Sequence, residues 1–561
     1  MYKKIFKNFL YICSIAIVLF FCREQACLLY AYATGTENTS KFIPSDTFLY
    51  LNCDFAENKW KILHDHKIVS DWEAFPPVKD IVKSIKTETG LNIDDQLIYQ
   101  SEQIGVAIGL PEISSLLQGK DPSMIGIIKF KHKNTPSSML KEILSSYEIS
   151  HGLTLLPFED YKGTLIYQFE DPKKTLTFYI TVFENYLLVC NDNSFLKKSL
   201  DVYTKVEKGL EDSQTFNTVY LKSAKDKILW FYINSEGTLP KIRPFVNLST
   251  DAADFVNTFK LYKGLGIGLG FVKNGLELKT YMVANLNEPM AKAMINKSSY
   301  FNEMTQFTPP QPYAYFALTG FSDLYKYIKL GDLQINEWES MKEEISQNLG
   351  LDLNLFNNIL NQTEEIGINC YEAVGQDGNK LLLPNITVFC KIKNKDLAER
   401  SLKQLRIIIG NKNIKFGPWL IYRGRKMTLA NRVAETQGMN FRPTYLFFGD
   451  YLIVGAYPGA VMKVIDLYYN PFISLLTDIN FNDIRMRLGN YKLTSIGYLD
   501  ISQLIKPMAG NQEEDSGMPD LSAFKRIGLN SQTDGKDGMV GTMLIDIDWD
   551  KINMQKLLGG Y

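Results

Sequence analysis

A body written twice constrains a fold more tightly than any single motif, and this chain repeats itself about 265 residues on. Phe183-Glu184-Asn185-Tyr186-Leu187-Leu188-Val189 returns as Phe448-Gly449-Asp450-Tyr451-Leu452-Ile453-Val454. Leu210 through Asn217 returns as Leu475 through Asn482, and Tyr232-Ile233-Asn234 as Tyr498-Leu499-Asp500. Both copies must satisfy one set of packing constraints, and a reactive residue should appear in one copy, both or neither. The 561-residue length also exceeds what one hydrophobic core usually supports.

Each copy runs through one order of elements. The spacing of Val78, Ile81, Val82 and Ile85 predicts an amphipathic helix, as does that of Trp338, Met341, Ile345 and Leu349, with Gly90 and Gly350 as C-caps. Strands are expected at Gln103–Gly109 and Ile125–Lys131, and again at Ile366–Tyr371 and Ile386–Ile392. Helices follow, bearing Met139, Leu140, Ile143 and Leu144 in one copy and Leu397, Ala398, Leu402 and Leu405 in the other. Thr164-Leu165-Ile166-Tyr167 aligns with Trp419-Leu420-Ile421-Tyr422 as a further strand. Helices are also expected after Asn193 and Pro458-Gly459. Each copy closes on a hairpin, turned at Asn274-Gly275 and at Asp537-Gly538, pairs that accept positive φ. Short turns between strands with interspersed helices predict an α+β fold. It comprises two tandem repeats, each a mainly antiparallel sheet flanked by helices, after an N-terminal signal or anchor segment. The expected boundaries are 1–33 for that segment, 34–42 for a polar linker, 43–300 for repeat 1 and 301–561 for repeat 2.

The N-terminus sets the address. Lys3, Lys4 and Lys7 precede an apolar run from Phe9 to Cys22, the pattern of a secretory signal. As a helix this run would span roughly 21 Å, short of the ~30 Å hydrocarbon core. Ala31-Tyr32-Ala33 offers a cleavage site; the rival reading is an uncleaved anchor tethering the protein through residues 9–22. Both place the body outside the cytoplasm. Sixty-one basic against sixty-two acidic residues argue against nucleic acid as a partner, because that binding needs concentrated cations.

Beyond the leader, Cys53, Cys190, Cys370 and Cys390 fall inside apolar strand-like runs and read as packing residues. A Cys370–Cys390 bridge between neighbouring strands is an open alternative in an oxidising compartment.

Pro44-Ser45-Asp46-Thr47-Phe48-Leu49-Tyr50, the segment from Gly90-Leu91-Asn92 through Gln103-Ile104-Gly105-Val106-Ala107, and Tyr186-Leu187-Leu188-Val189-Cys190-Asn191-Asp192 resemble a bacterial family known as domain of unknown function 3352. The resemblance covers most of residues 43 to 285 and extends more faintly into the second copy, where Gln311 and Pro312 replace Asp46 and Thr47. It implies an exported or membrane-anchored protein and carries over no catalytic residues.

Candidate chemistry is thin. His64-Asp65-His66 is the densest metal-like cluster, with His132 and His151 elsewhere; on a helix the two imidazoles would point apart. Asp546-Ile547-Asp548-Trp549-Asp550 opens like a calcium loop, but Lys551 and Leu557 stand where glycine and a bidentate glutamate are needed. On a strand, those three carboxylates would line one face. Gly264, Gly266, Gly268 and Gly270 alternate by two, which suits close packing on one strand face rather than a dinucleotide fingerprint. Ser138/Lys141, Ser194/Lys197 and Ser522/Lys525 match a serine–lysine spacing without its accompanying motifs.

The positions shared between copies are apolar or aromatic: Tyr50/Tyr315, Ile104/Ile366, Tyr167/Tyr422, Tyr186/Tyr451 and Phe216/Phe481, with Asn134/Asn394 and Asn217/Asn482 as turn and cap residues. No catalytic, metal or cofactor-binding residue is therefore assigned. The expected function is a non-enzymatic cell-envelope protein that binds a partner or acts structurally. The alternatives are a carrier of a lipid or other apolar ligand and an envelope hydrolase using His64 or His66.

Overall fold

Alternation of buried and exposed side chains builds the strands, and polar caps start the helices between them. The computed structural model describes residues 39–55, 101–110, 121–151, 157–170, 177–224, 227–243, 256–295, 303–329, 353–372, 384–410, 416–430, 434–436, 439–489, 493–504 and 522–551. The leader, the helices expected around Val78 and Trp338, Gly90, Gly350, His64 and His66 lie outside them. The chain divides into two compact units, one formed by Met1–Val283, Gly517–Ala523 and Asp548–Tyr561, the other by Ala284–Ser516 and Phe524–Ile547.

Unit 1 contains strands β1 (Thr47–Asp54), β2 (Ser101–Gly109), β3 (Ser123–Phe130), β4 (Glu159–Tyr161), β5 (Thr164–Glu170), β6 (Thr177–Phe183), β7 (Tyr186–Cys190), β8 (Leu229–Asn234), β9 (Tyr262–Val272) and β10 (Gly275–Ala284). Pairing gives the order β4-β5-β6-β7-β3-β2-β1-β8-β9-β10, antiparallel from β4 through β9. Among the described residues it is accompanied by helices α1 (Thr135–His151), α2 (Asn193–Tyr203), α3 (Gln214–Ser223) and α4 (Ser235–Ile242). Asp192 caps α2 by accepting from the amides of Ser194 and Phe195, Ser213 caps α3, and Asn234 caps α4, satisfying N–H groups the helices leave open. α1 lays Leu140 and Ile143 against Phe130, Phe169, Ile180 and Leu187 of the sheet.

Unit 2 begins with α5 (Pro289–Ile295) and continues with β11 (Ala314–Thr319), α6 (Phe321–Lys329), α7 (Leu353–Asn361), β12 (Thr363–Tyr371), β13 (Asn385–Ile392) and α8 (Lys395–Gly410). Then come β14 (Phe416–Tyr422), β15 (Arg425–Ala430), a small ribbon of β16 (Ala434–Thr436) and β17 (Met439–Phe441), β18 (Thr444–Phe448), β19 (Tyr451–Gly455), α9 (Pro458–Tyr469), α10 (Ile479–Arg487), β20 (Leu493–Asp500), β21 (Phe524–Thr533) and β22 (Gly538–Ile547). The pairing order is β14-β15-β18-β19-β13-β12-β11-β20-β21-β22, antiparallel throughout. Position by position this is the strand order of unit 1. α8 buries Ala398 and Leu405 against Cys390, Ile392 and Leu452, as α1 does in unit 1.

The fold is α+β, and the strands and helices expected within the described residues form, most with ends moved by three residues or fewer. Three readings need correction. Thr39–Phe42, assigned to the linker, form a 3-10 turn in which Thr39, Ser40 and Phe42 are buried, so these four residues belong to the body. The second hairpin does not turn on Asp537-Gly538 alone. Positive φ falls on Gly535 (φ 81), and Asp534 Oδ1 accepts from the amides of Lys536 and Gly538 across a longer loop.

The third correction concerns Tyr422. Strand order places Trp419–Tyr422 in β14, the counterpart of β4 rather than of β5. The partner of Tyr422 in unit 1 is therefore Tyr161, not Tyr167.

Candidate functional site

Among the candidates from sequence, the glycine row has the plainest outcome. Gly264, Gly266, Gly268 and Gly270 occupy the buried face of β9. A Cβ on Gly264, Gly266 or Gly268 would come within 3.0 Å of Thr215, of Val219 and Ser223, or of the Ser223 carbonyl, so α3 lies directly on this face. The row is a helix seat.

The carboxylates of the calcium-like segment do not line one strand face. β22 ends at Ile547, and Asp548 heads a 3-10 turn (Trp549–Lys551) in which it pairs with Lys551 at 3.4 Å. Asp546, buried, lies between Arg487 Nη1 at 2.5 Å and Arg526 Nη2 at 2.6 Å, and both arginines also reach Asp483. Two guanidinium groups already balance the charge a cation would need.

The serine–lysine pairs are equally engaged in structure. Ser194 Oγ donates to Asp192 within the cap of α2, while Lys197 pairs with Glu159 at 2.6 Å. Ser138 Oγ donates to the Asn134 carbonyl; Ser522 and Lys525 sit at a turn and on β21 rather than on a helix. His132 lies exposed before α1 and His151 ends α1. Among the described residues, no three His, Cys, Asp or Glu gather at metal-binding distance.

The four cysteines are free thiols. Cys370 faces Ile386 and Cys390 faces Ile366, so the two stand four residues out of register on adjacent strands. That is about 13 Å along the strand direction, beyond the reach of a disulfide. Burial pushes the thiols of Cys190 and Cys390 up to about 12.

What the units share is more extensive than the sequence comparison found. In unit 1, Phe42 stacks on Tyr203 at 4.4 Å and meets Tyr186 and Phe183 edge-on at 4.8 and 6.3 Å, while Phe183 meets Tyr203 at 5.1 Å. In unit 2, Phe307 stacks on Tyr468 at 5.9 Å and meets Tyr451 at 5.3 Å, with Phe448 against Tyr468 at 4.3 Å. Each ring lies 265 residues from its counterpart. Such ring pairs contribute about 0.5–1.5 kcal/mol beyond their burial. A second shared cluster joins Tyr50, opposite Tyr232 across the β1–β8 ladder, to Phe216, and Tyr315, opposite Tyr498, to Phe481. Asn217 and Asn482 each donate to the carbonyl six residues back, Glu211 and Leu476, at 2.7 Å.

Beside the ring cluster sits a polar latch. The tight β4–β5 turn puts Lys162 at φ 53 and Gly163 at φ 83, and the β14–β15 turn puts Arg423 at φ 47 and Gly424 at φ 74. These consecutive left-handed residues match the right-handed twist of the strands they join. Tyr161 donates its hydroxyl to Asp201 of α2 at 2.8 Å, and Lys162 donates to the same carboxylate at 2.6 Å. Tyr422 donates to Asp466 of α9 at 3.0 Å, and Arg423 Nε closes on it at 2.9 Å. A Tyr–basic–Gly turn thus clamps one helix aspartate in each unit. Burial alone would raise the Asp201 carboxyl, but the bonds from Lys162 and Tyr161 hold it below the ordinary range.

Where the units differ is on the surface of unit 2. Phe472 is 81% and Ile479 85% exposed, with Ile473, Tyr468 and Tyr469 also open to solvent. At the 265-residue offset, unit 1 carries Glu207, Gln214, Lys208, Tyr203 and Thr204. Arg425 lies over the Phe448 ring at 4.6 Å and reaches the Tyr469 hydroxyl at 3.5 Å; Arg423 lies 5.8 Å over the Tyr469 ring. Unit 1 has its own charged group: Asp46 is bound by Lys198 at 2.9 Å and Lys241 at 2.7 Å, and in spite of burial those lysines hold its carboxyl low. In unit 2 the corresponding Gln311 instead takes φ 54 and donates its amide to Asp478.

One family model, described as "Protein of unknown function (DUF3352)", matches residues 9–374, a single span from the N-terminal apolar run past β12 rather than one match per unit. No curated protein matches. Three crystal forms of TP0453 are similar over part of their length. Form I is 10% identical with a TM-score of 0.24, covering 45% of this chain and 80% of that one. Form III is 12% identical (TM-score 0.23; 48% and 91% covered), and form IV 9% identical (TM-score 0.24; 48% and 89% covered).

Proposed function

The chain belongs to the DUF3352 family, and we propose that it is an exported, non-enzymatic cell-envelope protein built from two tandem copies of one α+β module. The shared strand order, ring clusters and latches support the duplication. The apolar run of residues 9–22 behind Lys3, Lys4 and Lys7 supports export, either cleaved after Ala33 or kept as a tether.

The observation that carries the binding role is the divergence of one surface. What the two units hold in common serves architecture, whereas unit 2 exposes Phe472, Ile473 and Ile479 where unit 1 has charged or polar residues. Large apolar side chains left this exposed within one short stretch of chain are the kind that mark contact surfaces.

The test compares the purified full chain with a variant carrying the unit 1 residues at these positions, identifying by mass spectrometry the molecules that accompany each. A protein or lipid present with the first and lost from the second is the expected result. Hydrolytic turnover by the purified chain, abolished by replacing His64 and His66, would overturn the reading.

A further inference from the structure

We propose that the surface of Tyr469, Phe472, Ile473 and Ile479, bordered by Arg423 and Arg425, docks unit 2 onto an anionic phospholipid surface. The proposal rests on the binding reading above and gives it a chemical target.

The two units supply the comparison that isolates this surface. Both segments arrive at one place, since Asn482 ties back to the Leu476 carbonyl as Asn217 ties back to that of Glu211, but they leave the preceding helix differently: Lys205 takes φ 62 in unit 1, whereas Pro471–Ile473 form a 3-10 turn in unit 2. Unit 1 makes its connection with Thr204, Val206, Glu207, Lys208 and Gln214, of which only Val206 is apolar, so the shared tie does not require Tyr469, Phe472, Ile473 and Ile479. The hairpin beside it changes in the same direction: Arg425 and Lys426 stand in β15 where β5 has Thr164 and Leu165. Unit 2 thus carries apolar side chains and cations together where unit 1 has neither pattern.

Three nearby carboxylates are engaged by protein groups. Asp466 is held by Tyr422 and Arg423, Asp478 accepts from the amides of Phe481 and Gln311, and Asp483 pairs with Arg487 and Arg526. Phenylalanine and isoleucine projecting 80% or more into water, amphipathic tyrosines behind them and guanidinium groups at the border suit insertion into a headgroup layer, with the cations on lipid phosphates.

The experiment uses the full chain bearing Phe472→Trp, mixed with vesicles of phosphatidylcholine alone or in equal parts with phosphatidylglycerol, with and without brominated acyl chains. The probe reports position 472 whatever the N-terminal run does. A blue shift and bromine quenching on the anionic vesicles only, reversed by salt, is expected. Arg425→Thr with Lys426→Leu should weaken that response roughly tenfold or more. Phe472→Glu, Ile473→Lys and Ile479→Gln together should abolish chain retention that depends on phosphatidylglycerol while leaving the thermal midpoint unchanged. An indole that stays water-exposed on both vesicles, or responds equally to both, overturns the proposal. If that happens while the triple variant still loses a co-purifying protein, the binding reading survives with a protein partner instead.

Discussion

Tyr161 and Asp201 meet at 2.8 Å between a hairpin turn and a helix of unit 1, and unit 2 repeats the contact with Tyr422 and Asp466 at 3.0 Å. In each case the next residue is a cation bound to the same carboxylate, and the one after it is a glycine at positive φ. The latch pins the outer hairpin of the sheet to the helix that follows β7 or β19.

Asp201 makes unit 1 sensitive to acid. Its folded pKa lies below the ordinary aspartate value, so the latch contributes fully above the unfolded value of about 4 and is lost as pH falls through the folded one. Urea midpoints of the wild type should drop more steeply below about pH 4 than those of Asp201→Asn, which begins lower and stays flatter. Tyr161→Phe should cost about 0.5–1.5 kcal/mol at neutral pH.

Helix α3 tolerates no side chain beneath it. Gly268→Ala would drive a methyl group into the Ser223 carbonyl, which cannot rotate away, and should cost about 1–3 kcal/mol or more. Gly424→Ala has nothing within 4 Å and pays only for its φ of 74, about 1 kcal/mol. Thermal melts of the two variants should rank in that order.

Asp546 should behave as the anion of an ion-pair network and not as a calcium ligand. Asp546→Ala leaves Arg487 and Arg526 facing each other and should destabilise unit 2 by about 3–5 kcal/mol. Addition of calcium or a chelator should leave the wild-type melting curve where it is.

The thiols of Cys190 and Cys390, raised to about 12 by burial, should resist alkylation at pH 8 in the native protein and react at once in denaturant. Peptide mapping after alkylation without reductant should recover Cys370 and Cys390 as separate thiols.

Legibility in the sequence followed the range of the physical signal. Apolar alternation and helical spacing located most strands and helices, because each is written within a dozen residues; Tyr50, Tyr315, Phe216 and Phe481 were visible as shared and prove to pack together. The latch was hidden. Leu165-Ile166-Tyr167 and Leu420-Ile421-Tyr422 look alike letter for letter, and that likeness slid the hairpins out of step and concealed Tyr161. Only strand pairing fixes which tyrosine faces which aspartate. Phe42 was missed for another reason: it lies in a polar stretch, and its burial depends on rings more than 140 residues away.

That seat has a mechanical consequence. A pull along the polypeptide from upstream of Thr39 must break the hydrogen bonds of Thr39 with Tyr50 and Asn52 and of Ser40 with Glu211, then drag Phe42 from between Tyr186 and Tyr203 and free the Ile43 carbonyl from the Leu210 amide. Load entering at Thr39 is therefore shared between side-chain hydrogen bonds and a plug of aromatic rings before the backbone ladder of β1 itself has to open.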